Sequence, residues 1–310
     1  MTNSSNKFDS EIINFVYCID NKFLIQSMTS IISLLDCIDE KINIYIIHSN
    51  NCDFDEYSDV VANHKNLEKL EVILFNETNI YFPKIEGSHI TEATYYRLFI
   101  EKYLPKDIDI VVYLDADTVC INNPLNDLKK EIIKLQKSNF ILSARVEIPS
   151  GDSDLINRLS ISGDYFNAGV MILDLKKWRN ENFLEKLIKK MDEIKNSIIH
   201  WDQDVLNSVV NGKFLKLHKI YNFPSNEIFE HILSEDVKII HYLGSNKPWL
   251  TSGIFNFEAK FYQLNYKKLK KEYYHIEHKW KKQSVLDLLN SLNYIDKPIK
   301  FVISFIRSLY

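Results

Sequence analysis

Short apolar segments alternate with amphipathic segments along the first 114 residues of the chain. Four of the apolar segments have the length of buried strands, and the segment 24–35 carries Met28, Ile31, Ile32 and Leu35 at helical spacing. Strands that alternate with helices are typical of a parallel sheet covered on both faces. We therefore predict an α/β fold with strands at 12–19, 42–48, 70–75, 109–114, 140–144, 169–173 and 237–242, and with further helices at 53–63, 92–101 and 183–194.

Basic residues are concentrated towards the end of the sequence. The chain has 38 Lys and Arg against 42 Asp and Glu, yet the segment 265–310 has ten basic and four acidic residues. The acidic remainder argues against nucleic-acid binding, which needs a basic surface to neutralise phosphates. We predict a boundary between a main domain at 1–258 and a basic, aromatic helical segment at 259–310.

Aromatic side chains are interleaved with the lysines of this C-terminal segment. Such interleaving is typical of segments that lie on an anionic membrane surface. The alternative is a solvated helix that packs on the main domain. The interleaved residues are Lys267, Lys268, Lys270, Lys271, Tyr273, Tyr274, Lys279, Trp280, Lys281 and Lys282.

The sequence carries no pattern of an exported or membrane-spanning chain. Its N-terminus is polar, and no apolar run approaches the roughly 20 residues that cross a bilayer. None of the four cysteines has the C-x-x-C spacing of a zinc or redox site. We expect reduced, buried cysteines in a cytoplasmic protein that is either free or peripheral on the inner face of the cytoplasmic membrane.

Asp115-Ala116-Asp117 directly follows the fourth predicted strand. Ligands of open α/β sheets bind beyond the carboxyl ends of the strands, and residues two apart in extended backbone point to the same side. Both carboxylates can therefore approach one hard divalent cation, Mn²⁺ or Mg²⁺. Ala116 between them leaves room for a ligand.

The same residues fit a second class of enzyme. An apolar strand followed by Asp-Ala-Asp-Thr-Val resembles the nucleophile loop of haloacid-dehalogenase-type phosphatases, in which Asp115 would attack phosphorus and Asp117 would act as acid and base. That family usually carries the loop on its first strand and needs a downstream Gly-Asp pair after an apolar strand. Here three strands precede the loop, and the Gly-Asp pairs at 151–152 and 163–164 lack the preceding strand.

Several segments occur together in an order that one enzyme family shares. They are Asp20-Asn21-Lys22-Phe23, Tyr95-Tyr96-Arg97-Leu98, Asp115-Ala116-Asp117, Tyr165-Phe166-Asn167-Ala168-Gly169, Asp202-Gln203-Asp204, His241-Tyr242-Leu243-Gly244 and Lys247-Pro248-Trp249. Together they resemble glycosyltransferase family 8, which includes bacterial lipooligosaccharide α-galactosyltransferases and glycogenin. The likeness covers roughly residues 12–255. It implies a GT-A (Rossmann-like) fold, a UDP-sugar donor, Mn²⁺ and a retaining reaction.

The resemblance also assigns roles to residues by their position. It implies a metal site made by Asp115, Asp117 and His241, a mixed oxygen and imidazole set that suits Mn²⁺. It implies donor binding by Asp20, Lys22, Arg97, Ala116, Asn167, Asp202, Gly244 and Lys247. Lys22 departs from the pattern, because the family often has Asn there. The implied catalytic residues are Gln203 and Asp202, although Asp202 could instead cap a helix at 203–207.

The reaction implied is the transfer of galactose or glucose to a cell-surface glycan, such as lipooligosaccharide, as UDP departs. Retention usually calls for a carboxylate nucleophile, but the corresponding residue is the amide Gln203. We therefore expect a front-face reaction, in which the leaving diphosphate deprotonates the acceptor hydroxyl and Gln203 stabilises the cationic centre. A non-catalytic nucleotide-sugar-binding protein is a third interpretation. No nucleic-acid partner is expected.

Overall fold

The computed structural model describes residues 12–49, 54–83, 91–150, 154–228, 236–269, 273–277 and 298–307. Several of the expectations above concern residues outside these ranges. They are the polar N-terminus, Cys52, the Gly-Asp pair at 151–152, and the parts of the basic C-terminal segment at 270–272, 278–297 and 308–310.

Within the described ranges, ten strands form two sheets. They are β1 Asn14–Ile19, β2 Ile42–His48, β3 Leu67–Leu74, β4 Ile110–Leu114, β5 Thr118–Cys120, β6 Leu142–Ile148, β7 Tyr165–Asp174, β8 Leu215–Lys216, β9 Phe223–Pro224 and β10 Ile239–His241. The larger sheet has the order β3-β2-β1-β4-β7-β6-β8, and the smaller one β5-β10-β9. Strands β3, β2, β1 and β4 run parallel to one another, whereas β7 is antiparallel to both of its neighbours. The predicted mainly parallel α/β architecture is therefore confirmed.

The helices follow the strands and cover the sheet. They are α1 Leu24–Cys37, α2 Asp55–Ala62, α3 Ile100–Tyr103, α4 Leu125–Lys137, α5 Asp154–Leu159, α6 Leu175–Asn180, α7 Phe183–Ile194, α8 Trp201–Val210, α9 Ala259–Lys268 and α10 Pro298–Arg307. Short 3₁₀ helices lie at Asn21–Phe23, Glu92–Phe99, Lys219–Tyr221 and Ser225–Glu227. The helix predicted at 92–101 is thus mostly a 3₁₀ helix that continues into α3.

The central strands of the large sheet are buried because helices pack on both of its faces, whereas the edge strand β3 is partly exposed. Alternate residues of β1 contribute to two different clusters: Val16 belongs to one, and Phe15 and Tyr17 belong to the other. All ten residues of β7 are buried. Each fully buried aliphatic or aromatic side chain contributes about 1.5–3 kcal/mol, so these two layers dominate the stability of the domain.

A chain of buried hydroxyl groups joins the two sheets. The Tyr17 hydroxyl on β1 lies 3.1 Å from the Ser30 hydroxyl on α1, which lies 3.0 Å from the Thr118 hydroxyl on β5. The Thr118 hydroxyl also donates to the Asp115 carbonyl at 2.8 Å. Since buried polar groups are costly without partners, this chain fixes the turn between β4 and β5 against α1.

Helix α9 belongs to the segment predicted as a separate tail, and it packs on the main domain. Tyr262 is 1% exposed and lies in an apolar cluster with Trp249, and the Lys268 ammonium lies 2.7 Å from the Asp36 carboxylate on α1. On α10, Phe301 packs against Ile254. The boundary at 258 stays a prediction. Over the ranges that the structure describes, no helix combines the length and the apolar character needed to cross a membrane.

Candidate active site

The turn between β4 and β5 presents two carboxylates at the edge where the parallel strands end. The Asp115 amide donates to the Gly169 carbonyl at 2.8 Å, which holds the start of the turn against β7. The Asp117 carbonyl accepts from the Tyr242 amide at 3.0 Å, which holds its end against the residue that follows β10. The turn is therefore anchored on both sheets, and this anchoring fixes the two side chains.

His241 reaches the same place from a distant part of the sequence. It is the last residue of β10 and pairs with Thr118 of β5 in antiparallel register. Its Nε2 lies 3.2 Å from Asp117 Oδ1 and 3.8 Å from Asp115 Oδ2. One ligand atom from each of the three residues lies within 4.8 Å of the others. The three predicted metal ligands are thus brought together.

The surroundings of His241 suit a metal ligand. Its Nδ1 lies 2.9 Å from Asn222 Oδ1, so Nδ1 carries a proton and Nε2 is the nitrogen that faces the carboxylates. The ring lies against Gly169, where a Cβ would come within 2.0 Å of Cε1. Two carboxylate oxygens and one imidazole nitrogen form a donor set that fits Mn²⁺, and Mg²⁺ less well.

Lys247 neutralises the second carboxylate. Its ammonium lies 2.5 Å from Asp117 Oδ2 and also donates to the Tyr242 carbonyl. Burial alone would raise the pKa of Asp117, but the attraction of Lys247 and His241 outweighs it and holds that pKa well below its ordinary value. Asp117 is therefore ionised throughout the physiological range.

Arg97, in the 3₁₀ helix Glu92–Phe99, bridges two carboxylates. Its Nη2 lies 2.9 Å from Asp115 Oδ1, its Nε lies 2.8 Å from Asp202 Oδ2, and its Nη1 donates to the Ala168 carbonyl at 2.9 Å. Burial disfavours the charged guanidinium, but the two carboxylates outweigh this and raise the pKa of Arg97. The residue is 7% exposed, so its charge acts inside the protein.

Asp202 lies inside the first turn of α8 and is not its N-cap, because the helix begins at Trp201 and His200 takes the cap position. The Thr94 hydroxyl donates to Asp202 Oδ1, and Arg97 holds the other oxygen. Burial raises the pKa of Asp202 to about 6, although Arg97 and Thr94 act to lower it. Asp202 Oδ1 is therefore hydrogen-bonded, whereas Oδ2 is paired with the Arg97 charge but accepts no hydrogen bond.

Asn167 and Gln203 share one carboxylate that the sequence analysis missed. Asn167 Nδ2 donates to Glu147 Oε1 at 3.1 Å, and Gln203 Nε2 donates to Glu147 Oε2 at 2.8 Å. The Ala168 amide donates to Gln203 Oε1 at 2.9 Å. The amide of Asn167, which was predicted to bind the donor, and that of Gln203, which was predicted to be catalytic, are therefore each held in one orientation. Glu147 is the second residue from the end of β6, a position that carries no local signal of function.

A register shift between β6 and β7 brings Asn167 next to the end of β6, where Glu147 lies. Ala144 pairs with Met171, but the next residue, Arg145, pairs with Asn167. The three residues 168–170 of β7 therefore have no partner on β6, and the backbone of Ala168 bonds instead to the side chains of Arg97 and Gln203. Bulges of this kind re-aim side chains next to active sites.

The remaining residues predicted to bind the donor are Asp20, Lys22, Ala116 and Gly244. Asp20 follows β1, the neighbour of β4, and its side chain accepts from the Lys22 amide at 3.0 Å, while the Lys22 side chain is exposed. Ala116 is 9% exposed and packs with the apolar core. Gly244 has φ +74°, and a Cβ there would meet no atom within 4 Å, so the chain is open on that side. Direct donor contacts by these four residues stay predictions.

The family model for glycosyl transferase family 8 matches residues 14–253, which include every one of these positions. The chain belongs to glycosyltransferase family 8. It is 27% identical over 274 residues to the lipopolysaccharide 1,2-glucosyltransferase of Escherichia coli K12, covering 82% of this chain and 78% of that protein. It is 28% identical over 276 residues to the lipopolysaccharide 1,3-galactosyltransferase of Salmonella typhimurium, covering 84% and 80%.

Solved structures of other glycosyltransferases have the same fold as this family 8 chain. The galactosyltransferase LgtC, crystallised with donor and acceptor sugar analogues, gives a TM-score of 0.68 at 20% identity, covering 84% of this chain and 97% of that one. GlyE of Streptococcus pneumoniae gives 0.59 at 20% identity, covering 84% and 63%. The fold is therefore the GT-A fold that the sequence predicted, and the phosphatase interpretation loses its support.

Proposed function

We propose that this family 8 enzyme moves galactose or glucose from a UDP-sugar to a hydroxyl group of a surface glycan, such as lipooligosaccharide, with retention of configuration. The observation that carries the proposal is the convergence of Asp115, Asp117 and His241, with ligand atoms within 4.8 Å of one another, beside Lys247. The names of the lipopolysaccharide glucosyl- and galactosyltransferases to which the chain is similar support the class of donor sugar and of acceptor.

The three ligands would hold Mn²⁺ or Mg²⁺, which when bound neutralises charge on the departing diphosphate. Lys247 is placed to act on the same phosphates, because its ammonium already lies beside Asp117. Asp20, at the end of β1, would bind the nucleoside part of the donor. Gly244 leaves the backbone open to close approach by phosphate oxygens.

Arg97 acts as a positioning residue in this proposal. Its guanidinium is occupied by Asp115, Asp202 and the Ala168 carbonyl, which leaves little capacity for a direct bond to the donor. The ion pair with Asp115 fixes the rotamer of a metal ligand. The ion pair with Asp202 fixes the first turn of α8, from which Gln203 projects.

In the transfer step the bond between the anomeric carbon and the diphosphate oxygen breaks, and its electron pair stays on the diphosphate. The acceptor oxygen bonds to the anomeric carbon from the same face, and its proton passes to the departing diphosphate. Gln203 Oε1 holds one hydrogen bond from Ala168 and keeps a second lone pair, which would stabilise positive charge at the anomeric carbon. Asp204 is fully buried and bound by Arg158, Tyr165 and two backbone amides, so it is not available as a nucleophile.

The test is a panel of nucleotide sugars with Mn²⁺, read as UDP release by hydrolysis and then with candidate glycan acceptors. UDP-galactose or UDP-glucose should be turned over, and the product linkage should keep the anomeric configuration of the donor. An inverted product would overturn retention. Trapping a glycosyl adduct on Asp202, Gln203 or Glu147 would overturn the front-face step.

The same panel separates the other interpretations. A phosphatase would hydrolyse simple phosphate esters without any nucleotide sugar. A non-catalytic binding protein would gain thermal stability from UDP with Mn²⁺ but release no UDP. If UDP with Mn²⁺ changes neither stability nor turnover, donor binding itself is excluded.

We also propose that the C-terminal segment attaches the enzyme to an anionic membrane surface. In α10, Phe301 is buried against the domain, while Ile299, Val302 and Ile303 are exposed next to the exposed Lys300. Each basic residue near such a surface contributes about 1 kcal/mol. The protein should cosediment with vesicles rich in phosphatidylglycerol and be released by salt. Equal behaviour with neutral vesicles would contradict the proposal.

A further inference from the structure

Asn222 is a fully buried amide next to the candidate metal site. It follows the 3₁₀ helix Lys219–Tyr221 and precedes β9, and it is 0% exposed. Its side chain lies between His241 and Asn167. A lone asparagine in a connecting segment carries no sequence signal, and the position was not predicted.

The hydrogen bonds around Asn222 fix which of its atoms faces which neighbour. The Gly169 backbone amide donates to Asn167 Oδ1 at 3.0 Å, so that oxygen is an acceptor. Asn222 Nδ2 lies 2.9 Å from the same oxygen and must be the donor. Asn222 Oδ1 then faces His241 Nδ1 at 2.9 Å and can only accept.

The direction of these bonds determines the tautomer of the histidine. Since Asn222 Oδ1 accepts, His241 carries a proton on Nδ1, and Nε2 is the ring nitrogen that faces the carboxylates of Asp115 and Asp117 and is available to a cation. The backbone amide of Gly169 thus fixes the orientation of the Asn167 side chain, which fixes that of Asn222, which in turn fixes the proton on His241 Nδ1.

We propose that Asn222 is a positioning residue that holds His241 in its metal-binding tautomer and ring orientation. The inference rests on the metal role in the proposed function and adds a residue that the resemblance did not supply. Partners of this kind on the far nitrogen of a ligating histidine change metal affinity about tenfold to a hundredfold when removed. Asn222→Ala should lose that amount of affinity, because the imidazole can then adopt either tautomer and turn.

The experiment measures Mn²⁺ binding without donor, from the electron paramagnetic resonance signal of free Mn²⁺, in the full chain. Asn222→Ala should bind about tenfold to a hundredfold more weakly than wild type. Asn222→Asp keeps an acceptor for the Nδ1 proton but loses the donor to Asn167 Oδ1, so it should bind Mn²⁺ more tightly than Asn222→Ala. Asn66→Ala is the control. Asn66 is also buried, but its side-chain amide donates to the carbonyls of Leu35 and Ile38, which are not part of the candidate metal site.

Equal Mn²⁺ affinity in wild type and Asn222→Ala would overturn the inference and leave the proposed function intact. The same follows if Asn66→Ala weakens binding as much, because the effect would then be one of stability. If wild type binds no Mn²⁺, the metal role in the proposed function falls together with this inference.

A measurement on wild type decides the matter even if Asn222→Ala does not fold. Long-range ¹H–¹⁵N correlation of the histidine rings, with the His241 signals identified by their loss in His241→Asn, should show the proton on Nδ1 in the metal-free protein. An Nδ1 that carries no proton would overturn the inference.

Discussion

The ammonium of Lys247 lies 2.5 Å from Asp117 Oδ2, on a carboxylate whose other oxygen lies 3.2 Å from His241 Nε2. A single side chain of the candidate metal site therefore contacts a fixed cation of the protein as well as an imidazole ligand. Binding of the metal and binding of the diphosphate therefore depend on different side chains, and a substitution of Lys247 can distinguish them.

Lys247→Met should separate these functions. Removal of the ammonium frees Asp117 for the cation, so the affinity for Mn²⁺ alone should stay equal or rise. The affinity for UDP in the presence of Mn²⁺ should fall about tenfold to a hundredfold, the size of a lost charge-assisted hydrogen bond. Isothermal titration with Mn²⁺, then with UDP, measures both. A parallel loss of the two affinities would show that Lys247 only maintains the fold of the site.

Asp115→Ala should abolish sugar transfer while the protein stays folded. Arg97 keeps Asp202 and the Ala168 carbonyl as partners, so the buried guanidinium is not left alone. We expect at least about a hundredfold loss of turnover with an unchanged circular dichroism spectrum. Asp127→Ala on α4, which removes an exposed carboxylate paired with Lys130, is the control and should keep full turnover. Undiminished transfer by Asp115→Ala would remove the metal role.

Arg97→Met should destabilise the fold by about 3–5 kcal/mol, because it leaves the buried Asp202 carboxylate without its cation. Urea unfolding measures this loss. The double variant Arg97→Met with Asp202→Asn should recover part of the lost stability, since no buried charge then remains without a partner on α8. A single variant that unfolds within 1 kcal/mol of wild type would show that the pair is more hydrated than its 8% and 3% side-chain exposures indicate.

Gly169→Ala should disturb the metal site through packing alone. The new Cβ would lie 2.0 Å from His241 Cε1 and 2.9 Å from Nε2, so the ring must leave its position beside the carboxylates. We expect a loss of about 1–3 kcal/mol in stability together with weaker Mn²⁺ binding. Gly163→Ala creates a comparable collision with the Gly212 backbone, where a Cβ would lie 2.8 Å from Cα, and it should lower stability without changing Mn²⁺ binding. Equal Mn²⁺ affinities in the two variants would contradict the expected displacement.

The large sheet could be predicted because its strands are apolar runs with clear ends. The segments at 42–48 and 109–114 were placed within a residue of β2 and β4. For β7 only 169–173 was predicted, although the strand starts at Tyr165, because the polar Asn167 interrupts the apolar run while its side chain is satisfied inside the site. Strands β5, β8 and β9 were missed, since two or three residues give no periodicity to detect.

Some residues of the site could be predicted from the sequence, and others could not. Asp115, Asp117 and His241 belong to short motifs that the resemblance could recognise, and the structure brings them together. Asn222 and Glu147 act through the partners that folding gives them, at sequence distances of 19 residues from His241 and 56 from Gln203. Nothing in their local sequence differs from that of an ordinary buried or surface polar residue, so only the fold reveals them.

The reversed direction of β7 has a consequence for how the site can adapt. Because β7 runs antiparallel to β4 and β6, it begins at the edge of the sheet where those strands end. Asn167 and Gly169, near its start, therefore form a wall of the site, and every residue of the strand is buried. Such a wall opens only when the whole domain unfolds. By contrast, the segment that carries Gly244 and Lys247 follows the central strand of the small sheet and is more exposed, so it is the part of the described site that can change shape without unfolding the domain.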